Sequence, residues 1–163
     1  MLPNPIVLPR LAARRIALDA ADHGLRDVET GGFLLARDDS DVISTVAFVG
    51  TLGITRRRDQ FRISERAVDR LFAFVDDSGH WIPSQFHSHR AGAFLSRVDV
   101  DHGLSVEGFS STVVPQYASP PPRAEEWGWW RFEAGQWRRI APPEGSDSDV
   151  EVVRFDEGGV RAD

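Results

Sequence analysis

The sequence predicts a single domain of the mixed α/β class. Its 163 residues, of which 41% are hydrophobic, are enough for one compact core and too few for two ordinary domains. Two stretches carry helix patterns, and short apolar runs rich in strand-favouring residues lie between and after them. The order helix, strands, helix, strands is typical of a mixed α/β domain.

The first predicted helix begins after Pro9 and ends near Gly24, because the alanine-rich run between them has a strong helical propensity. We expect a strand hairpin after it. Its strands are "GGFLLAR" at 31–37 and "DVISTVAFVG" at 41–50, joined by an acidic turn at 38–41.

The second predicted helix starts at Ser64, a suitable N-cap residue, and its apolar side chains recur at helical spacing until residues 77–79. Beyond this helix we expect a strand, a short helix, another strand and a tryptophan-rich hairpin. These four elements cover residues 80–89, 96–105, 110–116 and 127–140.

Composition divides the chain into three parts. Residues 1–140 form the predicted domain. The stretch "APPEGSDSD" at 141–149 has the composition of a linker. Residues 150–163 are expected to form a C-terminal tail or an edge strand.

Net charge and cysteine content exclude several classes of function. The formal net charge of -6 argues against nucleic acid as a partner, because proteins that bind it usually carry a basic surface. The chain has no cysteine, so a metal must be held by nitrogen and oxygen. The sequence shows neither a signal peptide nor a run of about 20 apolar residues. We therefore expect a cytoplasmic protein that does not bind membranes.

Two histidines one residue apart, His87 and His89, are candidate metal ligands. On a strand both side chains point the same way, with Cα atoms about 6.5 to 7 Å apart, so both can reach one ion. A catalytic zinc normally has three protein ligands and a water. A metallo-β-lactamase pattern would need an aspartate at position 91, and a cupin pattern a glutamate near 93 or 94, but these positions hold Ala91, Ala93 and Phe94.

Ser96 and Asp99 follow as a candidate helix start, in which the aspartate can face back towards the histidines. A helix-capping pair without a role in metal binding is the alternative. Hydrolysis at a metal also needs a general base, and Glu29, before Gly31 and Gly32, is the candidate. The two glycines allow unusual dihedral angles or a close backbone approach; an ordinary surface glutamate is the alternative for Glu29.

The segments "ETGGFLLA" and "FHSHRAGAFLSRVD" together resemble the JAB1/MPN/Mov34 metalloenzyme family, whose JAMM motif is a glutamate, then His-Ser/Thr-His, then Ser-x-x-Asp. The resemblance follows the element order over roughly residues 10–140. It implies an MPN (JAB)-type domain with a central, mostly antiparallel sheet flanked by helices. It also implies a bacterial-type JAB domain that is a deubiquitinase-like zinc metallopeptidase.

Carried over by position, the resemblance implies that His87, His89 and Asp99 bind Zn²⁺, that Glu29 activates a water, and that Ser96 stabilises the oxyanion. The implied reaction is hydrolysis after the C-terminal glycine of a ubiquitin-like protein, by deconjugation or by precursor processing. E1-like and E2-like proteins are the implied further partners. A non-catalytic MPN scaffold and a peptidase that processes sulfur-carrier proteins are the alternatives.

The sequence departs from the family pattern in the loop after the histidines. Six residues separate His89 from Ser96, where seven are usual, and Arg90 stands where proline is common. Asp101 and His102 could support the ligands or could simply be solvated. The segment "TRRRDQFR" at 55–62 falls where family members often carry an insertion, and its arginines could steer an acidic substrate or be solvated.

Overall fold

The computed structural model describes residues 5–102 and 104–163, without the side chains of residues 98, 101 and 102. Three α-helices are present in this part of the chain, α1 (Arg10–Gly24), α2 (Glu65–Ser78) and α3 (Arg97–His102), together with a short 3-10 helix at Ala124–Glu126. The strands are β1 (Val7–Pro9), β2 (Gly31–Arg37), β3 (Ile43–Val49), β4 (Ile54–Arg56), β5 (Phe61–Ile63), β6 (His80–Ser88), β7 (Ser110–Val114), β8 (Gly128–Glu133), β9 (Gln136–Arg139), β10 (Glu144–Ser146), β11 (Glu151–Asp156) and β12 (Gly159–Ala162).

Eight strands form one central sheet in the order β12-β11-β3-β2-β6-β7-β8-β9. Two of its neighbouring pairs, β3 with β11 and β6 with β7, are parallel, and the others are antiparallel. Two smaller pairs lie outside it, β1 with β10 and β4 with β5. The predicted fold class, a mostly antiparallel sheet flanked by helices, is confirmed.

Helices α1 and α2 cover opposite faces of the sheet. The α1 face buries the alanines of that helix and Ile16 against residues such as Phe48 and Phe86. The α2 face buries Leu71 and Val75 of that helix against residues such as Phe155. Strands β2 and β3 are therefore covered on both sides, which explains their mainly apolar sequences.

The start and end of α2 follow the capping chemistry of its sequence. The Ser64 hydroxyl oxygen accepts a hydrogen bond from the Ala67 N–H at 3.2 Å, and Gly79 closes the helix with a φ of 68°. A glycine adopts this left-handed conformation without the steric cost that a side chain would add.

The segment from residue 141 to residue 163 is more closely built into the fold than its composition suggests. Within the expected linker 141–149, β10 pairs in parallel with β1. The segment 150–163, expected as a tail or an edge strand, forms two strands: β11 lies inside the sheet between β3 and β12, and β12 forms the edge. Phe155, which is fully buried, explains this position, because its ring packs against Phe33 with centroids 6.0 Å apart.

None of the helices in the described part of the chain has both the length and the apolar character needed to cross a bilayer.

We predict that Gly32→Ala lowers the free energy of unfolding by about 1 to 3 kcal/mol or more, a typical cost of overpacking. A Cβ at Gly32 would lie 2.1 Å from the backbone oxygen of Ala47 in β3, so the strands would have to separate. Urea denaturation measures the change. Gly145→Ala is the matched control, because its Cβ would meet Arg10 side-chain atoms at ordinary contact distances from 3.4 Å; equal losses in both variants would contradict the prediction.

Candidate metal centre

Three candidate ligands meet where β6 ends and α3 begins. Nε2 of His87 lies 3.1 Å from Nε2 of His89. Oδ2 of Asp99 lies 3.2 Å from the first of these nitrogens and 3.1 Å from the second. The structure therefore brings together the three residues that the sequence indicates as metal ligands.

The spacing of these three atoms fits a metal ion. Tetrahedral ligands with bonds of 2.0 to 2.1 Å are about 3.3 to 3.4 Å apart, close to the observed separations. Two imidazole nitrogens and a carboxylate oxygen form a common ligand set for zinc and related divalent ions, with a fourth position left for water. Without a cation or a proton between them, three electron-rich atoms at this distance would repel one another.

Backbone hydrogen bonds on both sides hold His89. Its N–H donates to the Val114 carbonyl at 2.8 Å, and its own carbonyl accepts from the Tyr117 N–H at 3.0 Å. Val114 is the last residue of β7, which pairs in parallel with β6. The second histidine is thus fixed in place although it lies just beyond the end of its strand.

Ser88, between the histidines, points to the opposite side and connects β6 to the segment that carries Glu29. Its N–H donates to the Thr30 carbonyl at 2.9 Å, and its hydroxyl oxygen accepts from the Thr30 N–H at 3.0 Å. A serine or threonine at this position therefore positions the candidate base relative to the ligands.

Ser96 and Asp99 form a reciprocal cap at the start of α3. The Ser96 hydroxyl accepts from the Asp99 N–H at 3.1 Å, and Oδ2 of Asp99 accepts from the Ser96 N–H at 2.8 Å. The same Oδ2 faces both histidines, so capping and metal binding are compatible. Burial of Asp99 favours its neutral form, but hydrogen bonds from His87, His89 and Ser96 outweigh burial and hold its pKa well below the usual range.

Glu29 is buried beside the ligands and is not a surface residue. Its exposed fraction is 4%, and its Oε1 lies 4.0 Å from Nε2 of His89. Burial, then the negative charges of Asp99 and Asp59, raise the pKa of Glu29 to about 8. A divalent cation at the three ligands would favour the charged carboxylate.

The Gly31–Gly32 pair serves close backbone approach. A Cβ at Gly31 would lie 2.4 Å from the Phe86 carbonyl oxygen and 3.1 Å from the Cα of His87. Because glycine has no Cβ, β2 can lie this close to β6 at the position of His87, the first candidate ligand.

The shorter loop after His89 still brings Asp99 back to both histidines. It carries Phe94, which is more than half exposed and whose ring contacts the His89 ring edge-on with centroids 4.9 Å apart. Asp101 and His102, for which the sequence leaves a supporting role open, have side chains outside the described part of the structure.

A groove of about 580 Å³ lies beside the candidate ligands. It is lined by His87 and Asp99 and also by Phe61 and Ile63 of β5 and by Leu104. One wall is thus the β4–β5 hairpin, formed by the segment in which family members often carry an insertion. Its volume is in the range of ligand-binding clefts.

The arginines of this hairpin have local partners. Nε of Arg56 donates to the Thr30 hydroxyl at 3.2 Å, and its Nη2 donates to the Val49 carbonyl at 3.1 Å. Arg58 forms an ion pair with Asp27 at 2.6 Å. The first two of these contacts fix the hairpin to the core, so Arg56 does not have the free surface position that steering of an acidic substrate would require.

Asp27 joins three segments around the site, a role that sequence reasoning missed. Its carboxylate accepts from the buried Tyr117 hydroxyl at 2.7 Å, pairs with Arg58 and lies 3.6 Å from Nε of Arg90. Its backbone has a φ of 58°, which is uncommon for a residue with a side chain. In the sequence, the only indication of this contact was Arg90, a charged residue at a position where JAB1/MPN/Mov34 proteins commonly have proline.

No protein-family model matches the sequence, and no curated protein matches it. Solved structures do match. A protein of Desulfitobacterium hafniense is 15% identical, with a TM-score of 0.68 over 88% of this chain and 94% of that one. A protein of Salinibacter ruber is 19% identical, with a TM-score of 0.57 over 85% and 91%.

A JAB1/MPN domain protein of Archaeoglobus fulgidus is 13% identical, with a TM-score of 0.52 over 88% of this chain and all of that one. At these identities the similarity concerns the fold alone. The chain therefore has the fold of a JAB1/MPN domain.

We predict that the wild-type chain binds one divalent ion such as zinc and that Asp99→Ala weakens binding by more than about 100-fold, since even residues that only support a ligand cost 10- to 100-fold. Glu29→Gln should keep the ion, because Glu29 is not one of the three ligands. Competition with a metal-sensitive dye measures affinity. Asp76→Ala, which removes an exposed carboxylate, is the control; wild-type affinity in Asp99→Ala would contradict the assigned ligand.

We predict that Asp27→Ala unfolds at a lower temperature than Asp27→Asn. Asparagine tolerates the left-handed backbone and can accept from the Tyr117 hydroxyl, whereas alanine does neither. Thermal denaturation followed by circular dichroism compares the two. Equal midpoints would show that these contacts do not stabilise the loop.

Proposed function

We propose that this chain is a JAMM-type zinc metallopeptidase, a deubiquitinase-like hydrolase that cleaves after the C-terminal glycine of a ubiquitin-like protein. The observation that carries the proposal is the position of a buried glutamate, Glu29, 4.0 Å from one of three converging ligand atoms. This arrangement occurs on the fold of a JAB1/MPN domain. A non-catalytic scaffold would not need a buried base beside the ligands.

When bound, zinc would lower the pKa of a water and polarise the scissile carbonyl. His87, His89 and Asp99 would hold the ion. Glu29 takes a proton from the attacking water and passes it to the leaving amine. Ser96 accepts a hydrogen bond from the Asp99 N–H, and since a hydroxyl can accept and donate at once, its proton remains available for the developing oxyanion.

The groove supports an extended tail as the substrate. A peptide along β5 could add main-chain hydrogen bonds to this strand, while Phe61, Ile63 and Leu104 contact its side chains. Its end would lie beside His87, where bulky residues next to the scissile bond are disfavoured. A glycine-rich terminus meets this requirement.

We further propose that the enzyme acts in the cytoplasm, on a free precursor or on a conjugate, alongside E1-like and E2-like proteins. Its acidic net charge disfavours nucleic acid as a partner. Processing of a sulfur-carrier protein uses the same chemistry and differs only in the group that is attached to the terminal glycine.

The test is cleavage of C-terminal extensions from ubiquitin-like proteins of the same genome, with and without a zinc chelator. We expect cutting immediately after the terminal glycine that stops with chelator and returns with added zinc. Glu29→Gln should lower the rate by at least about 100-fold, the lower range for general acid–base catalysis. Glu125→Gln, an exposed carboxylate, is the control.

Two results would overturn parts of the proposal. Cleavage by Glu29→Gln at the wild-type rate would exclude Glu29 as the base. A chain that binds no zinc and cuts no candidate would be a scaffold. A comparison of linear extensions with lysine-linked conjugates separates processing from deconjugation.

A further inference from the structure

Helix α1 carries a stripe of exposed leucines on the side away from the core. Leu11, Leu18 and Leu25 are 42%, 66% and 77% exposed. They are seven residues apart, and Leu25 continues the helical backbone with φ -63° and ψ -21°. Because seven residues make nearly two full helical turns, the three side chains lie almost in line.

This stripe is more than scattered surface hydrophobicity. Eight large apolar side chains are exposed in the described part of the chain, and three of them lie on this one helix. Single exposed apolar residues are ordinary, but these three lie in one line, with the exposed Arg14, Arg15 and Asp22 between them. A row with this spacing supplies one of the two positions per heptad through which packed helices contact each other.

The charged residues beside the stripe indicate what kind of partner it would bind. Arg15 lies four residues after Leu11, and Asp22 lies four residues after Leu18, so both flank the stripe on the same side. Both are exposed. One end of this flank is therefore positive and the other negative.

We propose that α1 is the interface of a symmetric dimer, in which the α1 helices of two copies pack antiparallel. With the two-fold axis at Leu18, this residue meets its own copy, and Leu11 of each chain meets Leu25 of the other. Arg15 of each chain then lies beside Asp22 of the other, which gives two equivalent ion pairs. A parallel arrangement would place like charges together instead.

The interface is small. Sixteen helical residues span about 24 Å, so the buried area lies at the low end for specific association. The dimer should therefore dissociate on dilution and weaken in salt, because exposed ion pairs are screened. This inference does not depend on the proposed peptidase activity.

The test is sedimentation velocity over a dilution series at low salt. We expect the wild-type chain to shift from monomer to twice the monomer mass as concentration rises. Leu18→Glu, which puts two carboxylates at the axis, should stay monomeric up to at least tenfold higher concentration, with an unchanged circular dichroism spectrum. Phe72→Glu, at an exposed site on α2, is the matched control and should dimerise like the wild type.

Charge reversal tests the antiparallel geometry. Asp22→Arg should weaken the dimer, because it sets two positive charges against each other, and the double variant Arg15→Asp with Asp22→Arg should restore it to within a few-fold. A wild-type chain that stays monomeric at all concentrations would overturn the dimer. Failure of the double variant to recover, with Leu18→Glu monomeric, would overturn the antiparallel arrangement.

Discussion

The pairing of β2 with β6 is the interaction on which the site depends. Gly31 lies opposite His87 in this pair, and no side chain separates the two strands there. Because side chains alternate, a shift of one residue would turn His87 towards the face covered by α1, where Phe86 now packs. The bonds between Ser88 and Thr30 prevent this shift. The register of one strand pair thus decides whether Glu29 and the three candidate ligands meet.

The same pairing concentrates negative charge in a buried place. Glu29 and Asp99 are close enough for the charge of one to raise the pKa of the other, an arrangement that is costly without compensation. Hydrogen bonds to the histidines stabilise the Asp99 carboxylate, which leaves Glu29 as the group that gains most from a nearby cation. Burying these two carboxylates side by side is unfavourable, and a bound cation would offset that cost.

Local patterns predicted most of the fold and the centre of the site. Helix caps, the hairpins and the alternation of His87 and His89 depend on residues close in sequence, so they could be found without the structure. The position of β11 could not, because its partner β3 lies about 100 residues earlier. Asp27 was missed for the same reason, since its partner Tyr117 is 90 residues away. Strand β10 was not predicted either, because residues 141–149 have the composition of a linker and its partner β1 is distant in the sequence.

The hairpin β4–β5 contributes none of the three candidate ligands, yet it holds Glu29 in place. The Arg57 carbonyl accepts from the Glu29 N–H at 2.8 Å, and Arg56 reaches the next residue, Thr30. One wall of the groove and the strand start that carries Glu29 are therefore joined by hydrogen bonds. A hairpin of different sequence or length could replace this one without moving Glu29 only if it kept a backbone carbonyl at the position of Arg57.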